Sequence, residues 1–291
     1  MVLRPTPYRL MRCGRCSLVR TERDDGPLEA RYDERYYSAH SLADTMDRLA
    51  AGGSPRSHLI EFAYSAYLDR SSPLWRRLVA LPVRNRLGGL PPRQASGTDL
   101  LDVGSGDGDF LRRALRSGYR AVGQEINAEA VASARQAGVD VRLGELEQVA
   151  FPPGSFDVVR LWHVLEHVPD PVRTLKTAHG LLRPNGLLVL GVPDFASAAR
   201  WLFGARWSGL QLPYHRHHFT QATLRATLEA GGFRLRSMRH RSVGTIFSSV
   251  SERRALPAPL AAATWASLLA VDDVLDLAGL GDTMEAIAAP A

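Results

Sequence analysis

From Asp99 onward, short continuous apolar runs trade places with longer stretches that carry apolar residues at helical spacing. "DLLDVGS" predicts a buried strand, and "GDFLRRALRSG" a helix closed by Gly118. "YRAVGQEI" is a second strand, followed by the helical "AEAVASARQAG", which ends at Gly138. "VDVRLGE" and "FDVVRLWHV" predict two more strands. "DPVRTLKTAHGLL" is a helix with Asp170 as N-cap and Pro171 at its first position. "GLLVLGVP" is a fifth strand, "TQATLRATLEAGG" a helix capped by Thr220, and "FRLRSMRH" and "DTMEAIAA" two last strands. Strands alternating with helices imply a parallel sheet covered on both faces. The expected fold is α/β, a doubly wound, mostly parallel seven-stranded sheet.

The pattern upstream differs. Residues 1 to about 35 read as polar and irregular. Tyr36 to Leu81 reads as helical, with Leu59, Phe62, Ala63 and Ala66 on one face. The proline- and glycine-rich "PVRNRLGGLPPRQASGT" reads as a linker. The expected organisation is a mainly helical N-terminal extension over 1–95 and the α/β domain over 96–291. No repeat or low-complexity tract interrupts it.

Composition narrows the class. With 45% hydrophobic and 23% charged residues in 291, the chain has the make-up of an ordinary soluble globular protein. The most apolar stretch, Leu260 to Val271, is shorter than the roughly 18 residues of a membrane span. No signal peptide is legible, and the expectation is a soluble cytoplasmic protein without a membrane span. The net charge of +6 is almost all arginine, because Lys176 is the only lysine. The arginines are scattered, which argues against a nucleic-acid partner. Cys13 and Cys16 stand as C-x-x-C without a second pair, half of a four-ligand zinc site.

"LLDVGSGDGDF", residues 100 to 110, carries the clearest chemistry. A glycine-rich turn between a strand and a helix is a nucleotide cradle. The spacing here is G-x-G-x-G, not G-x-G-x-x-G, and Asp107 and Asp109 would repel a pyrophosphate. Such a turn suits a ligand with a carboxylate for the backbone amides and an ammonium for Asp102. Glu125, 21 residues after Gly104, closes the second strand in "VGQEIN", where an acid can accept both hydroxyls of a ribose. It is read as solvent-facing, so that its loss should spare the fold. Gly144 and Glu145 close the third strand, where an acid can accept the exocyclic amine of adenine. In order, the three strand ends describe S-adenosylmethionine or its product.

"LLDVGSGDGDF", "VGQEIN", "GELEQVAFPPGSFDVV" and "LWHVLEHVPDP" together resemble the motifs of class I S-adenosylmethionine-dependent methyltransferases, with a Rossmann-like fold. They are most similar to the broad group that includes ubiquinone-biosynthesis-type and sugar or natural-product enzymes. The resemblance covers about residues 98 to 240 and the final strand. It implies a cofactor site of Asp102, Gly104, Ser105, Gly106 and Gly108 at the turn, Glu125 and Ile126 at the ribose, and Gly144, Glu145 and Leu146 at the adenine, with Trp162 beside them. "RCGRCSLVR" resembles the second half of a zinc ribbon found ahead of the domain in some members. Either a first half lies upstream or the metal has been lost, and the reading adopted is a chain without bound metal.

Two histidine clusters remain. His163 and His167 flank the fourth strand end, where the transferred methyl is expected, and a D/N-P-P-Y stretch typical of base N-methylation is missing. A histidine suits removal of a hydroxyl proton, although His167 can equally cap the following helix with Glu166. "PYHRHHFT" resembles a stretch found in related chains, with His215 and His218 in the matching places. His215 can approach the methyl from a lid, and Tyr214, Trp207 and His218 can line the acceptor side. The alternatives are that His218 fixes the loop to the cap at Thr220, and that Trp201, Phe203 and Trp207 pack a core. Three histidines suggest a metal, but no Asp, Glu or Cys stands near them in sequence, and none is assigned. The reading is methyl transfer to a hydroxyl of a small molecule, a sugar or natural-product intermediate. C- or N-methylation, and a non-catalytic binding module, are the alternatives.

Overall fold

The computed structural model describes residues 8–22, 73–75, 89, 97–242, 246, 249 and 271–291. The expected helical stretch from Tyr36 to Leu81, the linker and the boundary near residue 95 fall almost wholly outside the described residues. The elements are β1 (Leu10–Arg12), β2 (Val19–Thr21), β3 (Asp99–Val103), α1 (Asp109–Arg116), β4 (Arg120–Glu125), α2 (Ala128–Gln136) and β5 (Val141–Leu143). They continue with β6 (Phe156–Trp162), α3 (Pro171–Leu181), β7 (Leu182–Pro193), α4 (Ala198–Phe203), β8 (His217–His218), α5 (Gln221–Ala230), β9 (Phe233–Arg241) and β10 (Thr283–Pro290).

Seven strands form one sheet in the order β5-β4-β3-β6-β7-β10-β9. β3 pairs parallel with β4, and β4 with β5, while β10 runs antiparallel between β7 and β9. The expected α/β sheet is therefore present, with the last strand reversed. Its central strands have no solvent face, which is why they read as continuous apolar runs. Leu100, Leu101, Val158, Val159, Leu161, Leu188, Val189 and Leu190 have no exposed surface, each burial stabilising by about 1.5–3 kcal/mol. Among the described residues no helix is long and apolar enough to cross a membrane.

The chain divides into two compact units, one of residues 25–160 and 180–187, the other of 1–24, 161–179 and 188–291. In the first, α1 buries Phe110, Leu111 and Ala114, and α2 buries Val131 and Ala134. Asn127 caps α2, its side chain accepting from the Ala130 amide at 2.7 Å. In the second, Asp170 accepts from the Arg173 amide at the start of α3. Thr220 and Thr223 form a reciprocal capping box on α5. Both of the caps read from the sequence are in place.

The start of the chain corrects the sequence reading. Residues 10–12 and 19–21 are not irregular: β1 and β2 form a hairpin, and β2 pairs antiparallel with β8, Val19 opposite His218 and Arg20 opposite His217. Strands of three residues are too short to show a periodicity, and the second partner of β2 lies nearly two hundred positions away. Cys13 and Cys16 lie exposed in the hairpin turn. The amides of Cys16 and Arg15 pull the Cys13 thiol below its ordinary value.

Candidate functional site

Between β3 and α1 the backbone turns through three left-handed residues, Gly104 (φ 66°), Gly106 (φ 56°) and Gly108 (φ 79°). Side chains rarely adopt that conformation, which is why the turn is spelled in glycine. The three glycines do different work. A Cβ on Gly106 would meet nothing within 4 Å, so the turn is open there to a ligand. A Cβ on Gly108 would lie 3.2 Å from the Cβ of Ala134, so this residue lets the turn pack on α2. The Ser105 hydroxyl is buried without a partner, and a Cβ on Gly123 of β4 would come within 2.4 Å of it. Gly123 thereby sets how closely the turn approaches β4.

Glu125 is buried, 4% exposed, and not the solvent-facing acid the sequence suggested. Its carboxylate accepts from the amides of Gly106 at 2.9 Å, Ile126 at 2.7 Å and Asn127 at 2.9 Å. One side chain thus ties the glycine turn to the end of β4. Gln124, which sequence reasoning missed, makes the matching tie on its other side. Its amide donates to the Gly144 carbonyl and its oxygen accepts from the Gly104 amide at 3.4 Å. A buried glutamine ahead of the expected acid was the available signal. At the end of β5, Leu146 is buried, and half-buried Glu145 accepts from the Gln148 side chain at 3.4 Å.

Asp102 is 1% exposed. Its Oδ1 accepts from Arg160 of β6 at 2.7 Å, and its Oδ2 is buried with no partner. Burial raises the Asp102 carboxyl above its ordinary value, opposed by Arg160 and reinforced by the Glu125 charge. The Arg160 guanidinium also stacks 3.9 Å from the Phe110 ring and donates to the Gly89 carbonyl. An arginine inside the apolar strand "FDVVRLW" is itself a sign of a buried acid, one the sequence reading passed over.

The second unit holds the histidines, and here two segments far apart in sequence are knitted together. The Glu166 carbonyl accepts from the amides of Arg216 and His217, at 2.8 and 3.0 Å. His163 adopts φ 54°, an uncommon left-handed conformation for a side-chain-bearing residue. Its Nδ1 lies 3.0 Å from Glu166 Oε1, and its ring meets Trp162 edge-on. Trp162 itself covers Gly191, where a Cβ would come within 2.4 Å of the indole. His167 is placed by its Nδ1, 3.2 Å from the Tyr214 carbonyl, and His215 by its Nδ1, 3.0 Å from the Gly209 carbonyl. The His167 and His215 rings are 4.7 Å apart. His218 Nε2 lies 2.9 Å from Thr21 Oγ1, so it anchors the N-terminal hairpin. Trp207 is 2% exposed in a small core with Ala199, Leu210 and Ile246, the packing role of the two open to it, while Trp201 is 85% exposed. Contrary to the expectation that no acid stands near the histidines, Glu166 lies beside His167 and His215.

Burial shapes the titration of this cluster. Desolvation, with repulsion from His217 and Arg200, lowers His218 from 6.5 to about 4. His215 is driven well below 6.5 by burial and by its neighbours His167, His218 and His163, and His217 is lowered in the same direction. In the unfolded chain histidines titrate near about 6.5. As pH falls from there toward about 4, the unfolded state binds protons that the folded state refuses, and stability is lost. Urea unfolding at pH 7.5 and at about 5 should show this loss, and it should shrink in His218→Gln. Equal stability at the two values would contradict the buried, neutral placement.

Residues 74–238 match the family model described as Methyltransferase domain. A ubiquinone biosynthesis O-methyltransferase of Xanthomonas euvesicatoria pv. vesicatoria is 34% identical over 155 residues, 49% of this chain and 65% of that protein. A 37.1 kDa protein in transposon TN4556 of Streptomyces fradiae is 37% identical over 109 residues, 35% of this chain and 32% of that one. The matched segments thus span less than two thirds of these relatives. A crystal structure of an S-adenosylmethionine-dependent methyltransferase from Mesorhizobium loti aligns over 72% of this chain and 96% of that one, at 21% identity and a TM-score of 0.49.

Proposed function

Because the chain belongs to the methyltransferase-domain family, whose cosubstrate is S-adenosylmethionine, we propose that it transfers the methyl group to a hydroxyl of a small molecule, a sugar or natural-product intermediate. The carrying observation is the buried Glu125 carboxylate, held by backbone amides of both the glycine turn and the β4 end. It is a preorganised acceptor for ribose hydroxyls. The cosubstrate fits the residues around it. Gly106 leaves space over the turn, and the unpartnered Asp102 Oδ2 is an acceptor fit for a donor such as an ammonium. Glu145 and Leu146 offer a polar and an apolar group for adenine. The cosubstrate supplies an electrophilic methyl on a sulfonium. The protein's part is to bind, align and remove a proton.

For proton removal the reading assigns His163, with Glu166 holding its Nδ1. Such a carboxylate fixes the tautomer, so that Nε2 carries the lone pair that accepts the acceptor's proton. On this reading the acceptor is a small molecule and not nucleic acid, with the cytoplasm as the expected compartment. The scattered arginines, with no dense basic run, support a small molecule over nucleic acid. The test is incubation with methyl-labelled S-adenosylmethionine and a panel of sugar, phenol and polyketide alcohols. Label on an acceptor oxygen is expected. His163→Ala should lower that transfer by about 10²-fold or more while leaving S-adenosylhomocysteine affinity unchanged. Label on carbon or nitrogen would contradict the hydroxyl acceptor, and full activity of His163→Ala would remove the base assignment.

A further inference from the structure

Glu166, His167 and His215 are all buried, and one ligand atom from each lies within 4.8 Å of the others. Nothing in methyl transfer as described uses His167 or His215, nor the second oxygen of Glu166. We propose that these three side chains form a binding site for one divalent first-row transition ion of the zinc type.

Three observations converge on this. The first is the orphaned acceptor. Glu166 Oε2 is fully buried and has no hydrogen-bond partner, while Oε1 is engaged by His163. Burying a carboxylate oxygen without a donor is costly, and a cation removes the cost. The second is the orientation of the imidazoles. His167 and His215 each place Nδ1 against a backbone carbonyl, of Tyr214 and Gly209 respectively. A carbonyl can only accept, so Nδ1 carries the hydrogen and Nε2 the lone pair. This is the outer arrangement by which metal-binding histidines are fixed. The third is the donor chemistry. Two neutral imidazoles and one carboxylate make a site of net charge −1, and imidazole donors favour zinc-type ions over magnesium or calcium. A spacing within 4.8 Å lies within reach of one ion bonded at about 2.0–2.2 Å after small side-chain rotations. Three protein ligands leave a tetrahedral ion one position for water or another oxygen, the pattern of open sites. His163 then acts on the ion indirectly, by orienting Glu166.

The proposal shares Glu166 with the methyltransferase reading, but its test reads metal directly and not methyl transfer. The full chain, stripped of metal by dialysis against a chelator, is titrated with Co²⁺ and followed by its visible d–d absorption. The expected result is one Co²⁺ per chain, displaced by Zn²⁺, and unchanged in the double variant Cys13→Ser/Cys16→Ser. Glu166→Gln and His215→Asn, checked for folding by circular dichroism, should each weaken Co²⁺ binding by about 10-fold or more. Wild-type protein that is folded and takes up no Co²⁺ would overturn the site, whatever the variants do. So would binding that is lost in the double cysteine variant but kept in Glu166→Gln.

Discussion

Glu125→Ala is expected to weaken S-adenosylhomocysteine binding by about 2–4 kcal/mol and, in the same protein, to lower folding stability by about 1–3 kcal/mol. The first effect follows from losing charge-assisted hydrogen bonds to the ribose hydroxyls. The second follows from burial. Three backbone amides, those of Gly106, Ile126 and Asn127, donate to this carboxylate, and alanine leaves them without it. The turn would also lose its tie to β4, so the binding loss includes disorder of the site itself. Glu125→Gln separates the two. It keeps one acceptor oxygen for the amides but no charge, so it should recover more stability than affinity. Isothermal titration with S-adenosylhomocysteine and urea unfolding of both variants measure this. Affinity unchanged in Glu125→Ala would withdraw the acid from the ribose.

Arg160→Met should lower folding stability by about 3–5 kcal/mol, the cost of leaving a buried carboxylate without its partner. Asp102 is 1% exposed and Arg160 7%, so water cannot replace the lost guanidinium. The same substitution removes the cation–π contact with Phe110 and the bond to the Gly89 carbonyl. Adding Asp102→Leu to Arg160→Met should restore part of the loss, since no charge is then left buried. A double variant less stable than the sum of the singles would show that the pair is not the source of the effect. Because Asp102 ends one residue short of the glycine turn, the single variant should also bind S-adenosylhomocysteine more weakly.

What was legible in the sequence was local. The strands β3, β4, β6 and β7 were carried by apolar runs, the ends of α1 and α2 by Gly118 and Gly138, and the caps by Asp170 and Thr220. The glycine turn was legible because left-handed residues are written in glycine. Apart from the short β1–β2 hairpin, whose three-residue strands carry no period, the main unread features are non-local. Arg160 meets Asp102 only because β6 lies beside β3 in the sheet, an order no periodicity encodes. The pairing of β2 with β8 joins residues nearly two hundred apart. Glu166 joins His215 because its carbonyl holds the amides of Arg216 and His217. The burial of Glu125 was misread for a related reason. A strand-end acid is expected to face water, but the glycine turn folds over it and supplies an amide.

The proposed cosubstrate site is built by the glycine turn and the ends of β4 and β5. A crystal structure of the full chain with S-adenosylhomocysteine tests it most directly. The predicted result is one ligand per chain, with both ribose hydroxyls within about 3.2 Å of the Glu125 carboxylate, adenine against Glu145 and Leu146, and the amino acid end over Gly104 and Gly106. A ligand bound elsewhere on the chain, or a ribose that makes no contact with Glu125, would contradict it.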